Sequence, residues 1–298
     1  MRHTMKVLLT GASGYVGAAT LEALVAAGHD VVGITRSEAK AESIRQRGAV
    51  ARVGDVRDNA FLTASAATVD GAIHLASPGD ETSARTEEIV VAAILEGLGK
   101  ANKPFVSTAG LWDHGSGDAI SETTGFRAPQ ITAWRPALTR RVLGADGVRS
   151  SVISPALVYG RGDSLLQLVA NAPRVGEEEQ SLLVVGGGQQ HWGNVHLDDL
   201  AKLYVLALEK APAGTYLIGA NPHAPTALEI ASAASTAIGL HGRVEPEGVA
   251  ATVKRLGALG EALLLDQKIV STGAEQLGWR PAQLSIIEHL AETTNFTR

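Results

Sequence analysis

Through the first half of the chain, short and nearly continuous apolar runs alternate with longer Ala-rich stretches. The runs KVLLT (6–10), DVVGIT (30–35), VARVG (50–54), GAIHLA (71–76), PFVST (104–108) and SSVISP (150–155) predict strands. Between them the spacing predicts helices near 15–27, 37–46, 58–66, 82–101 and 133–145. Strands alternating with helices of this length predict parallel strands joined by right-handed crossovers. Because the strands are apolar on both faces, helices must cover the sheet on both sides. The expected fold is α/β, a doubly wound parallel sheet.

After Pro155 the rhythm changes. LVYGRGD and GGGQQHWGN are Gly-rich, whereas LDDLAKLYVLALEKA reads as an amphipathic helix with Asp198 or Asp199 near its N-terminus, where an acid suits the helix dipole. GTYLIGA reads as one more strand, and residues from about 221 on are mainly helical with a break at LGWRPAQ. The expected division is a dinucleotide-binding domain over 1–155 and a smaller, mainly helical substrate portion over 156–298, some of whose strands rejoin the sheet.

Three glycines spaced three apart, Gly11, Gly14 and Gly17, follow the first strand and open the first helix in TGASGYVG. In that setting the pattern predicts a diphosphate cradle. Gly11 takes a turn conformation that a side chain opposes, Gly14 lets the backbone approach a pyrophosphate, and Gly17 lets helix and strand pack closely. The helix N-terminus adds amides and the positive end of a dipole. The bland reading is a tight turn with no ligand. An acid at the end of the second strand binds the ribose 2′-hydroxyl of NAD. Here that segment reads Gly33-Ile-Thr-Arg36-Ser37, and the planar fork of Arg36 suits a 2′-phosphate, so NADP is expected ahead of NAD. A solvated surface arginine is the alternative.

Together these features resemble the short-chain dehydrogenase/reductase superfamily, in its extended NAD-dependent epimerase/dehydratase branch. TGASGYVG, GDVRD, HLA at 74–76, SPALVYGRG, NVHLDDLA and LGWRP are similar to its signatures along nearly the whole chain. The resemblance implies a Rossmann-type sheet and a cofactor held by Gly11, Ser13, Gly14, Tyr15, Val16, Arg36, Asp55, Val56, Leu75, Ala76, Ser77, Ser107, Pro155, Leu157 and Val158. The family's catalytic tyrosine and lysine stand four apart, on one helix face. This chain departs from that pattern. Its tyrosines are followed four residues on by Ala19, Asp163, Leu208 and Ala220, and no lysine lies between Lys103 and Lys202. Aligning RRVL with the family helix puts Arg135 near the lysine position and Ile131 near the tyrosine.

Substitutes for the missing pair come from nearby. Ser107 and Thr108 stand at the end of the fifth strand, where either could hydrogen-bond a reacting oxygen or simply end the strand. His114 could carry a proton, since its ordinary pKa lies near neutrality, or could sit idle in solvent. Arg135 could hold a ribose or phosphate, or pair with an acid. Thr108, His114 and Arg135 are the catalytic candidates. Trp112, His191 and Trp192 are the substrate-contact candidates, with packing as the alternative for the tryptophans. His191 and His196 are five apart, which fits neither a helical pair nor a zincin motif, so no metal is expected.

The bulk numbers narrow the classes further. The 298 residues are 45% hydrophobic and 19% charged, enough for a large buried core. A net charge of −5 with interspersed signs argues against a nucleic-acid partner. There is no cysteine, hence no disulfide or thiolate chemistry. The leading MRHTMK carries no apolar signal region, and no long apolar run suggests a membrane span, so a cytoplasmic location is expected. The expected function is an atypical NADP(H)-dependent oxidoreductase, or epimerase/dehydratase-like enzyme, acting on a small molecule, with a homodimer possible. The alternative is a non-catalytic NADP(H)-binding redox sensor.

Overall fold

A computed structural model of the chain describes residues 4–162 and 165–292. The first half runs β1 (Lys6–Thr10), α1 (Tyr15–Ala26), β2 (Asp30–Thr35), α2 (Glu38–Gln46), β3 (Val50–Val53), α3 (Asn59–Ala67), β4 (Gly71–His74), α4 (Ser83–Leu98), β5 (Pro104–Thr108), β6 (Gly117–Ile120), α5 (Arg135–Leu143) and β7 (Arg149–Pro155). It continues with β8 (Leu157–Tyr159), α6 (Leu166–Ala170), β9 (Arg174–Val175), β10 (Ser181–Val184), β11 (Asn194–His196), α7 (Leu197–Lys210) and β12 (Thr215–Gly219). The remainder holds α8 (Ala227–Ala237), β13 (Val244–Pro246), α9 (Val249–Leu256), α10 (Ala258–Leu263), β14 (Gln267–Ile269), α11 (Gly273–Gln276) and α12 (Ile286–Glu292).

Seven strands form one sheet in the order β12-β7-β5-β4-β1-β2-β3, with every neighbour parallel. Alternation along β1 explains the layering. Val7 and Leu9 point into the core under α1 and α7, while Leu8 points into the core under α3, α4 and α5. Strand order reverses between β1 and β4, and the loops after these two strands flank the crevice where ligands of doubly wound sheets bind.

Residues beyond Pro155 serve both layers. β12 pairs with β7 as the seventh sheet strand, and α7 lies against α1. The rest builds a separate core from α6, α8, β10 and α12 around Ile230, Ala234 and Leu290. Two short parallel pairs, β8–β11 and β6–β14, tie this part to the sheet's carboxyl edge. The strand expected over 71–76 stops at His74, because the amides of Leu75 and Ala76 turn to the Thr10 hydroxyl at 3.2 and 3.4 Å. The helix expected over 133–145 begins at Arg135, after a separate 3-10 turn at Gln130–Thr132. Among the described residues no helix is long and apolar enough to cross a membrane.

Candidate active site

Two cavities lie along the carboxyl edge of the sheet. The larger, about 600 Å³, runs from the glycine loop across the ends of β2 and β3. The smaller, about 280 Å³, continues between α1, the loop after β5 and the β7–β8 turn.

The glycine loop is built by close approach. Gly11 has φ +71°, and a Cβ there would come within 2.7 Å of the Leu75 carbonyl group. A Cβ on Gly17 would sit 1.9 Å from the Gly11 carbonyl oxygen, so the absence of a side chain lets α1 rest directly on the turn. The Gly14 amide donates to Gly11 O at 2.8 Å, and no side chain caps the helix. Its first turn therefore opens onto the cavity with its amides and dipole, a cradle for a diphosphate that larger residues would fill.

A buried hydrogen-bond chain holds the opposite wall. The Thr10 hydroxyl accepts from the Leu75 and Ala76 amides and lies 2.7 Å from His74 Nδ1. It is therefore the donor to Nδ1, which leaves Nε2–H to donate to Glu87 at 2.9 Å. Burial pushes the Glu87 carboxyl up, but the electrostatic pull and hydrogen bond of His74 and a hydrogen bond from Ser77 outweigh it and hold the group below its ordinary value. This chain pins Leu75, Ala76 and Ser77 at the rim.

The far end of the larger cavity is cationic. Arg36, Lys40 and Arg57 line it together with Asp55 and Asp80. Arg57 grips Asp55 through paired contacts, Nε at 3.1 Å and Nη2 at 2.6 Å, and hydrogen bonds from Arg57 keep this acid below its usual range. Arg36 is exposed, with no hydrogen bond or ion pair among the described residues, and Lys40 stands one helical turn on. Lys40 and Arg57 escaped the sequence reading. The signal for them was present, since each follows a recognised cofactor segment by a few residues.

The smaller cavity is mostly apolar. Of the residues expected around the cofactor, Tyr15, Val16, Pro155, Leu157 and Val158 line it, and Trp112, Trp192 and Arg135 face it as well. Gly11, Ser13, Gly14, Arg36, Asp55, Val56, Leu75, Ala76 and Ser77 line the larger one.

Four expected site residues lie away from both cavities. Ser107 is buried on β5 and lines neither cavity. The Thr108 hydroxyl donates to the His74 carbonyl at 2.9 Å and meets the buried Tyr204 hydroxyl at 2.8 Å, so it faces the interior. His114 is fully buried, with Nδ1 on the Thr124 carbonyl and Nε2 on the Tyr216 hydroxyl, both at 3.0 Å. Burial holds it below its ordinary pKa, so it is a neutral packing residue beside Phe126 and Tyr216. His191 is turned to Asp266, Nδ1 to Oδ1 at 2.9 Å, away from the smaller cavity.

Each of the four tyrosine hydroxyls has a partner. Tyr15 donates to Gly160 O, Tyr159 to Leu284 O, Tyr204 meets Thr108, and Tyr216 meets His114. Burial raises the phenols of Tyr159, Tyr204 and Tyr216, that of Tyr159 to about 12. Among the described residues no group of three or more His, Cys, Asp and Glu is placed to hold a metal ion.

Residues 7–99 match the model of the NAD dependent epimerase/dehydratase family. An uncharacterized protein of Schizosaccharomyces pombe is 30% identical, over 98% of this chain and 100% of its own length. The 2-alkyl-3-oxoalkanoate reductase of Stenotrophomonas maltophilia is 25% identical, over 87% of this chain and 83% of its own. Among solved structures, MoeE5 in complex with UDP-glucose and NAD superposes with a TM-score of 0.76 at 18% identity, covering 98% of both chains. The human epimerase family protein solved with NADPH gives 0.73 at 20% identity, covering 97% of this chain and 99% of that one.

Proposed function

Because the chain belongs to the NAD-dependent epimerase/dehydratase family, we propose that it is an NADP(H)-dependent oxidoreductase acting on a small carbonyl or alcohol compound with an apolar body. One observation carries the choice of cofactor. The cavity that begins at the glycine cradle ends at Arg36, Lys40 and Arg57, and the two acids lining it, Asp55 and Asp80, are already engaged by Arg57 and by Thr82. A 2′-phosphate at that end meets three cations, whereas a bare 2′-hydroxyl finds no uncommitted carboxylate to accept from it. The 2-alkyl-3-oxoalkanoate reductase among the relatives supports a carbonyl substrate.

The division of labour follows from the lining. Gly11, Gly14 and the first turn of α1 hold the diphosphate, Leu75 to Ser77 form a wall, and Pro155 to Val158 flank the entrance to the apolar cavity. When bound, NADPH supplies a hydride to the carbonyl carbon. With every tyrosine hydroxyl engaged elsewhere, the carbonyl oxygen takes its proton from water. The apolar walls restrict water and orient the substrate, which by itself contributes to rate.

A calorimetric titration tests the cofactor assignment. NADPH should bind more tightly than NADH, and Arg36→Ala should weaken NADPH by about 10-fold or more while leaving NADH nearly unchanged, the scale of one charge-assisted contact. Equal loss for both dinucleotides would refute the assignment. The engaged tyrosines favour a second reading, binding without turnover. Loss of nicotinamide absorbance on mixing NADPH-loaded protein with a panel of ketones separates the two.

A further inference from the structure

Arg135 is a half-buried cation in an apolar place. It opens α5 on the wall of the smaller cavity, with its guanidinium over the Trp134 ring at 5.1 Å. Gly110 leaves room for it, since a Cβ there would come within 3.0 Å of Nη1. Among the described residues no carboxylate reaches ion-pair distance of this guanidinium.

Two acids lie near enough to feel it, and neither neutralises it by contact. Glu87 is occupied by His74 and Ser77. Asp113 is wholly buried, and neither its oxygens nor the adjacent Thr132 hydroxyl has a hydrogen bond of ordinary geometry. Burial pushes the Asp113 carboxyl up to about 6 in spite of the pull of Arg135. The guanidinium is thus left with unused donors, facing Trp112, Leu157, Val158, Trp192 and Leu263 across the cavity. A cation so placed gains most from a ligand that brings its own anion, because a planar carboxylate matches the guanidinium fork and both are partly shielded from water.

We propose that the smaller cavity recognises a carboxylate-bearing molecule with an apolar body, its carboxylate on Arg135 and its hydrocarbon against Trp112 and Trp192. This names the substrate class of the proposed oxidoreductase and rests on that reading for the ligand's fate, though not for its binding. Arg135 acts as a specificity residue. Its guanidinium donates hydrogen bonds to the carboxylate and takes no part in proton transfer.

The probe is octanoate, compared with octanamide, which keeps the hydrocarbon and the planar head but lacks the charge. Calorimetry on the wild-type chain, with and without saturating NADP⁺, should give octanoate an advantage of about 10-fold or more, the scale of a charge-assisted pair. Arg135→Gln should remove the advantage while octanamide binding is kept, and Arg135→Lys should restore part of it. Equal binding of the two probes to the wild type, no binding of either, or an advantage that survives Arg135→Gln would overturn the inference. If NADP⁺ itself fails to bind while octanoate is still preferred, the oxidoreductase reading falls and the carboxylate site stands.

Discussion

Replacing Gly17 by alanine sets two physical expectations against each other. Gly17 lies in the first turn of α1, where alanine is the better helix former by about 1 kcal/mol. Propensity therefore predicts a more stable protein. Packing predicts the reverse, because the new methyl would start 1.9 Å from the Gly11 carbonyl oxygen, whereas real Cβ contacts stay beyond 3.0 Å. Helix and turn must separate by about 1 Å, and both partners are backbone, so no side chain can swing aside. Overpacking of this kind costs about 1–3 kcal/mol or more. With a core this large the melting temperature should fall by about 2–4 °C for each kcal/mol lost. The same movement pulls the amides of α1 away from the cradle, so NADPH affinity should drop by about 10-fold or more. Thermal melts and NADPH titrations of Gly17→Ala are compared with Gly125→Ala, whose added methyl would meet nothing within 4 Å. A Gly17→Ala protein that melts at or above the wild-type temperature and binds NADPH within about twofold would show that the turn is not held by this contact.

Two further outcomes follow from buried acids. Glu87→Gln should destabilise the protein, because the carboxylate that accepts from His74 Nε2–H is lost; hydrogen bonds to charged groups are worth about 1.5–3 kcal/mol. The folded-state pKa of Glu87 lies below its ordinary 4.5, so its contribution is complete above that pH and is lost as pH falls through the folded value. Denaturant melts of wild type and variant should therefore converge below pH 4.5, and a gap that persists into acid would contradict an ionised Glu87. Asp113 has the opposite sign. Its pKa rises from 3.8 to about 6 on folding, so the wild type loses stability as pH climbs through that window. Asp113→Asn should match the wild type near pH 3.8 and exceed it above about pH 6; a variant less stable at every pH would mean the carboxylate has a partner.

The framework of the fold was legible because it depends on local periodicity. Apolar runs such as KVLLT and DVVGIT form strands over the residues the pattern assigns, and helices lie between the strands. The glycine spacing was equally readable, since each glycine answers a steric demand within a few residues of itself. What the pattern could not show was the direction of polar side chains whose partners lie far along the chain. Thr108 meets Tyr204, 96 residues away, and His114 meets Tyr216, 102 residues away. Thr108 was expected to hydrogen-bond a reacting oxygen and His114 to carry a proton; each meets a tyrosine hydroxyl instead. Trp112, Trp192 and Arg135 converge only because α5, the turn after β5 and the loop before β11 meet at one edge of the sheet.

The seventh strand has a consequence for synthesis of the protein. β12 flanks β7, and α7 roofs the layer that includes Val7, Leu9 and Ile73, yet both elements come from beyond residue 196. A nascent chain that has released residues up to Pro155 still lacks that roof, so a broad greasy face stays wet until the ribosome has delivered roughly sixty more amino acids. The glycine loop emerges first, but the helix that packs against α1 behind it comes only after residue 196.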